Sequence, residues 1–329
     1  MSSPKLKLTG IGILLLTVAT CSLARQKEKS LVLQEMCWPD VQNYLKDNDM
    51  VIIPLGSTEQ HGRHLPLGTD CYEALGMSKK ISEKTHVVIA PVLWVGYSVY
   101  HSGFAGTLSL KPETMEQVLY ETAQMLIQYG FKRIMFFNYH GGNKVVQDKV
   151  IHRINHNTEA VAIAIGHGSP FQTPLPGGEF FDNHAGKSET SIMLHLRPDL
   201  VKMDRAEKPQ ITFTPQMEQL RKLAEEYPDL THVWNSLFGV PAHTQKGGAS
   251  HQISSNGVWS FADPKDATEQ LGQKTVDHMV NLAVNFINAW KKTDPKINTP
   301  RENPKDNTNP NIKPSRPPPA PVSHNKNKW

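Results

Sequence analysis

Four short runs of this chain are apolar at nearly every position: VIIPLG at 51–56, VVIAPV at 87–92, RIMFFN at 133–138 and VAIAIG at 161–166. Each is rich in β-branched or aromatic residues and too short for a typical helix, which suits strands buried on both faces. Between them the period changes to that of amphipathic helices, predicted over 72–84, 112–129 and 144–157. The order β-α-β-α-β-α-β predicts an α/β protein, a mostly parallel sheet sandwiched between helices. Further helices are predicted over 188–196, 215–226 and 264–290, and no repeat period is visible.

The two ends break this pattern. Lys5 and Lys7 precede an apolar run at 11–19 and a small-x-small site at Ser22, Leu23 and Ala24, which predicts a secretory signal over 1–24. The run is far shorter than the ~20 residues that cross a bilayer, so no stable membrane span is expected. The protein is therefore expected to be exported, periplasmic or secreted. Lipid anchoring through Cys21 is the minor alternative, because Thr20 stands where that pattern has Gly or Ala. At the other end, 293–329 carries nine of the 24 prolines together with Asn and Lys, the composition of a disordered tail. The domain that does the chemistry is expected over 30–292.

Hydrophobic residues are 38% and charged residues 20% of the 329, which excludes a disordered polymer and a membrane bundle. A net charge of +4, supplied largely by lysines of the end segments, gives no basic surface for nucleic acid. Only Cys37 and Cys71 would survive removal of the leader, and two cysteines make no disulfide framework.

In an open parallel sheet the ligand crevice lies beyond the carboxyl ends of the strands. The segment after the first apolar run, GSTEQHGRHLPLGTD, is read as one loop carrying Glu59, His61, His64 and Asp70. The third run leads into NYHGGN with His140; after the fourth come His167 and then DNHAGKSETS with Asp182, His184 and Glu189. Carboxylates and imidazoles converging from three strand ends suit divalent metal, and two ions sharing a carboxylate generate hydroxide at neutral pH. Dinucleotide, P-loop and serine-hydrolase motifs are absent. His152 and His156 lie four apart on a helix, but Arg153 stands where a zinc-protease motif needs glutamate.

The blocks PLGSTEQHGRHLPLGTD, FAGTLSLKPET, NYHGGN, HAGKSETSIMLHLRPDLV and GVWSFADPKDATEQLG, in this order, resemble those of the creatininase family of metal-dependent amidohydrolases. The resemblance spans about 30–290. It implies a dinuclear centre, zinc or alternatively manganese or iron, and a homo-oligomeric ring, commonly a hexamer. Transferred residue by residue, it implies Glu59, Asp70 and His140 around one metal, His61 and Asp70 around the other, and a catalytic role for His184. Where creatininase has a metal-binding glutamate this chain has Gly142, and Glu189 is the candidate replacement as ligand and site residue. Arg63, Tyr139 and Lys187 also depart from the family's usual residues. No tryptophan lies between His140 and His184, which speaks against creatinine; Phe171, Phe180 and Phe181 are candidates for another pocket wall.

The expected function is hydrolysis of a C–N bond in a small cyclic or linear, non-peptide amide by metal-activated water, with His184 passing the proton to the leaving nitrogen. The alternatives are a lactone or carbon–carbon hydrolase using the same centre, or a metal- or small-ligand-binding protein on the same scaffold.

Overall fold

The computed structural model describes residues 30–166, 182–227 and 236–293. The predicted leader, all but the first residue of the predicted tail, and His167, Phe171, Phe180 and Phe181 lie outside the described residues. In chain order the elements are α1 (Trp38–Asp47), β1 (Met50–Leu55), α2 (Thr69–Thr85), β2 (Val88–Ile89), α3 (Pro112–Tyr129), β3 (Arg133–Asn138), α4 (Lys144–Asn157) and β4 (Val161–Gly166). There follow β5 (Asp182–His184), α5 (Lys187–Leu196), α6 (Pro215–Glu226), the single turn α7 (Ser250–Ile253), β6 (Trp259–Ser260) and α8 (Glu269–Lys291). No helix among the described residues is long and apolar enough to cross a membrane.

The main sheet is parallel throughout, in the order β2-β1-β3-β4. The side chains of β1 and β3 alternate between two covered faces, and for that reason the runs are apolar without interruption. Val51, Ile53 and Leu55 join Ile134 and Phe136 in a core closed by Met115, Leu119 and Ala123 of α3 and Val146, Val150 and Ile154 of α4. On the opposite face Phe137 and Ile165 line one small gap together with Met279, Leu282 and Ala283 of α8, and α2 lies against β1. Leu55 pairs with Asn138, and Asn138 with Gly166, so three strands end in register at one edge of the sheet. The chemistry-bearing segments leave from that edge.

Three elements differ from the sequence reading. The 87–92 run yields only Val88–Ile89 as strand, because Pro91 has no N–H to continue the ladder; Ala90 N still donates to Ile52 O. The predicted 264–290 helix is a 3-10 turn at Pro264–Asp266 followed by α8, which Thr268 caps by accepting from Leu271 N at 3.2 Å. Most relevant to the site, α2 begins at Thr69, so Asp70 sits in a helical first turn and not on the loop. Gly56 permits this: a Cβ there would come within 2.6 Å of the Cys71 backbone, and only glycine lets α2 start so close to the end of β1. The buried Cys71 thiol donates to Ser57 O, pinning the same junction. Cys37 and Cys71 are both free.

Candidate metal centre

The six residues given a metal-binding or catalytic role from the sequence, Glu59, His61, Asp70, His140, His184 and Glu189, meet at the carboxyl edge of the sheet. The loop after β1 supplies Glu59 and His61, and the first turn of α2 supplies Asp70. His140 follows β3 at the threshold of α4. His184 ends β5, a short strand held antiparallel to β6 by pairing with Trp259, and Glu189 lies in the first turn of α5. Asp182 serves α5 instead: its carboxylate accepts from Ser188 N and Ser260 Oγ, both at 2.8 Å.

Glu59, Asp70 and His140 form one cluster and His61, His184 and Glu189 another, and Asp70 faces a histidine of each. His140 Nδ1 is 3.2 Å from Glu59 Oε2 and 3.2 Å from Asp70 Oδ2. His61 Nε2 is 3.1 Å from Asp70 Oδ1 and 3.8 Å from Glu189 Oε2. Three histidines each place one ring nitrogen against a backbone carbonyl: His61 Nδ1 on Glu59 O (3.1 Å), His140 Nε2 on Tyr97 O (3.0 Å) and His184 Nε2 on Gln60 O (2.6 Å). A carbonyl only accepts, so these nitrogens carry the protons and the opposite nitrogens face the carboxylates; at His184 the shorter carbonyl contact decides over the Gln60 amide nitrogen, 2.9 Å from the same Nε2. Two oxygens of Glu59 and Oδ2 of Asp70 are buried without a hydrogen-bond partner. Imidazole lone pairs and orphaned carboxylate oxygens turned toward one another are what a divalent cation reconciles, and the donor set fits one.

The electrostatics point the same way. Among the described residues no Lys or Arg forms an ion pair with Glu59, Asp70 or Glu189. Burial alone raises the pKa of each carboxyl. Facing imidazoles reverse this for Glu59, through His101 and His140, and for Asp70, through His61 and His140. Glu189 is pushed up to about 8 by burial, against the pull of His61. Glu73, one turn beyond Asp70, is raised well above the carboxylate range by burial and then by Glu189 and Asp70. Against the cost of burial, Asp70 lifts His61 to about 10. Positive charge is in short supply here, and a proton on His61 stands in for what a cation provides.

The position of Gly142 is closed to any side chain. A Cβ there would lie 2.2 Å from Tyr97 O, 2.6 Å from His140 Nε2 and 2.7 Å from Tyr100 Oη. The carbonyl that orients His140 occupies the space, so this chain is not creatininase with a ligand deleted. Glu189 instead holds a carboxylate oxygen near His61, while the same oxygen accepts from Ala185 N. Glu189 thus lies beside His61 and, in the first turn of α5, also holds the backbone just ahead of that helix.

The sequence reading missed the wall of the site. His101 is buried with Nε2 3.2 Å from Glu59 Oε1. Tyr100 and Trp259 are buried with it, and Trp259 lies 6.1 Å from the His101 ring centre to centre. The signal was present in the VYH and GVWS segments, but only the tertiary fold brings them to His140 and His184. His64 is buried and holds Thr190 Oγ1 at 2.8 Å, next to Glu189; His152 and His156 are exposed on α4.

A sequence model of the creatininase family, described as creatinine amidohydrolase, matches residues 34–287. A mycofactocin precursor peptide peptidase of Mycobacterium ulcerans (strain Agy99) is 30% identical over 249 residues, covering 73% of this chain and 85% of the relative. A 3-dehydro-scyllo-inosose hydrolase of Thermotoga maritima (strain ATCC 43589 / DSM 3109 / JCM 10099 / NBRC 100826 / MSB8) is 28% identical over 197 residues, 55% of this chain and 61% of the relative. A solved mutant creatininase of Zn-Zn type superposes with a TM-score of 0.64 at 22% identity, covering 80% of this chain and all of the other.

Proposed function

This chain is a hydrolase of the creatininase family, and from that premise we propose that it is a dinuclear-metal amidohydrolase cleaving the C–N bond of a small linear, cyclic or peptide-like amide. The observation that carries the reading is the set of three imidazoles, each anchored by one nitrogen to a backbone carbonyl and turned by the other toward buried carboxylates. Glu59, Asp70 and His140 would hold one ion and His61, Asp70 and Glu189 the other, zinc in the first place, with manganese or iron as alternatives. Bound there, such ions acidify water and polarise a carbonyl.

The chain's own residues supply the rest. His184 keeps Nε2–H on Gln60 O, which leaves Nδ1 directed into the site, 3.6 Å from Glu59 Oε1. That nitrogen takes the proton released on attack and returns it to the departing amine nitrogen. The His184 ring is held in place by those of His61, at 4.2 Å, and His101, at 4.3 Å. Tyr100 and Trp259 keep that side of the centre apolar and out of water. Among the described residues Trp259 of β6 stands on this wall, and the sequence has no tryptophan between His140 and His184, so creatinine is not the proposed substrate. Likeness to the inosose hydrolase favours, as a second reading, a lactone or carbon–carbon hydrolase with the same residues. Export and ring assembly are proposed with this function; they rest on the leader segment and the family resemblance respectively.

The test is a screen of the full-length, metal-loaded protein against cyclic amides, formamides, short peptides and lactones. Turnover of an amide, abolished by chelator and restored by a single added metal, is the expected result. Turnover confined to lactones, or amide turnover that survives complete metal removal, overturns the proposal.

A further inference from the structure

The set Glu59, His101 and His184 is left over from the two-ion reading. All three are buried, and one donor atom from each lies within 4.8 Å of the others, so by distance alone they make another cation site. The hydrogen bonds around His101 decide against it. Gly62 N donates to Gln60 Oε1 at 3.0 Å, which establishes which end of the Gln60 amide is oxygen. The amide nitrogen at the other end lies 3.1 Å from His101 Nδ1, 3.0 Å from Ser250 Oγ and 2.9 Å from His184 Nε2; that last nitrogen already gives its own proton to Gln60 O at 2.6 Å, so the two amide protons go to His101 and Ser250. An NH2 group only donates, so His101 Nδ1 accepts and the ring proton belongs to Nε2. A nitrogen that carries a proton has no lone pair for a metal.

That N–H faces one particular atom. Nε2 lies 3.2 Å from Oε1 of Glu59, while the other carboxylate oxygen, Oε2, is 3.2 Å from His140 Nδ1. The two ends of Glu59 are therefore divided between a proton donor and the proposed ion. The contact to Oε1 is bent and not a completed hydrogen bond, so its hold is mainly electrostatic. The ring itself cannot drift: it stacks on His184 at 4.3 Å and an interplanar angle of 27°, with Tyr100 4.4 Å away on a tilted contact.

We propose that His101 is a positioning residue of the metal centre: its Nε2–H, kept in that tautomer by Gln60, steadies Oε1 of Glu59 so that Oε2 serves the ion shared with His140 and Asp70, and the Glu59–His101–His184 set takes no ion of its own. The inference rests on the reading of Glu59 as a metal ligand. Partners that hold a ligating carboxylate or imidazole from outside typically contribute 10- to 100-fold in metal affinity.

Zinc binding to the full-length protein, measured by competition with a chromophoric chelator, tests it with two variants. His101→Phe keeps a ring to stack on His184 and removes the N–H; His101→Gln returns an NH2 near the position of Nε2. Both are expected to saturate with as many zinc ions as the wild type. His101→Phe should bind roughly 10- to 100-fold more weakly, and His101→Gln should recover most of that loss. Unchanged affinity in His101→Phe, or saturation with one ion fewer, overturns the proposal. Nitrogen-15 NMR of the zinc-loaded wild type reads the ring directly: His101, assigned by its absence from an otherwise unchanged His101→Gln spectrum, should show a protonated Nε2 and an unligated Nδ1, and a zinc-bound Nε2 overturns the proposal. A wild type that binds no zinc defeats the metal-centre reading itself, whereas a wild type that binds and a His101→Phe that binds equally well defeat only the role of His101.

Discussion

Placing a side chain at Gly142 should damage the site rather than complete it. The Cβ of alanine would sit 2.2 Å from Tyr97 O and 2.7 Å from Tyr100 Oη, and backbone cannot be pushed aside as a flexible side chain can. Displacing Tyr97 O removes the acceptor that fixes Nε2–H of the buried His140. An unsatisfied buried donor costs about 1–3 kcal/mol. Ser98 Oγ, 3.1 Å from the same nitrogen, remains as a substitute acceptor, which puts Gly142→Ala toward the lower part of that range. For a unit of this size each kcal/mol moves Tm by about 2–4 °C. Metal affinity should fall roughly 10- to 100-fold as His140 loses its fixed orientation. Gly141→Ala is the control, because nothing lies within 4 Å of its Cβ, and it should stay within about 0.5 kcal/mol of wild type. Differential scanning calorimetry and chelator competition read both effects. A Gly142→Glu variant that melts like the wild type and binds metal more tightly would refute the reasoning, since it would mean that the position is a vacant ligand slot with room for a carboxylate.

His184→Ala should keep its metal content while kcat falls roughly 10²- to 10⁴-fold, the range for losing a positioned proton carrier; elemental analysis beside turnover checks it, and wild-type turnover removes His184 from proton transfer. Glu189→Gln should lower metal occupancy, because a neutral amide is a much poorer ligand than a carboxylate. If Glu189 only supports the start of α5, the same variant shows a small stability loss with full occupancy. Intact-mass analysis of protein recovered from the exported fraction should give a chain beginning near Arg25, and an intact Met1 confined to cytoplasmic material would contradict export.

Much of the scaffold is legible in the sequence because burial on two faces leaves an unmistakable mark. β3, α3, α4, β4 and α6 begin and end where the apolar runs and helical periods place them. The errors fall where local signals are weak or tertiary contacts decide. Asp70 reads as a loop residue after Pro66 and Gly68, yet the close approach permitted at Gly56 lets α2 begin ahead of it. The ligand candidates could be found because they follow the strand ends, where an open parallel sheet gathers its chemistry. His101 could not be placed that way. Its neighbours Gln60, His184 and Ser250 are 41, 83 and 149 positions away along the chain, and only the fold makes a hydrogen-bonded group of them. The missing carboxylate at Gly142 looked from sequence like a lost ligand. The structure gives another cause, the Tyr97 carbonyl standing where the side chain would go.

The most direct test of the dinuclear centre is the number of divalent ions each chain holds, measured by elemental analysis on tag-free protein, with Asp70→Ala alongside. Asp70 faces both His61, through Oδ1, and His140, through Oδ2, at 3.1 and 3.2 Å. Close to two ions per wild-type chain, and loss of both in a folded Asp70→Ala, is the predicted result. A fully active protein that cannot be loaded beyond one ion, or an Asp70→Ala variant that keeps two, would contradict it.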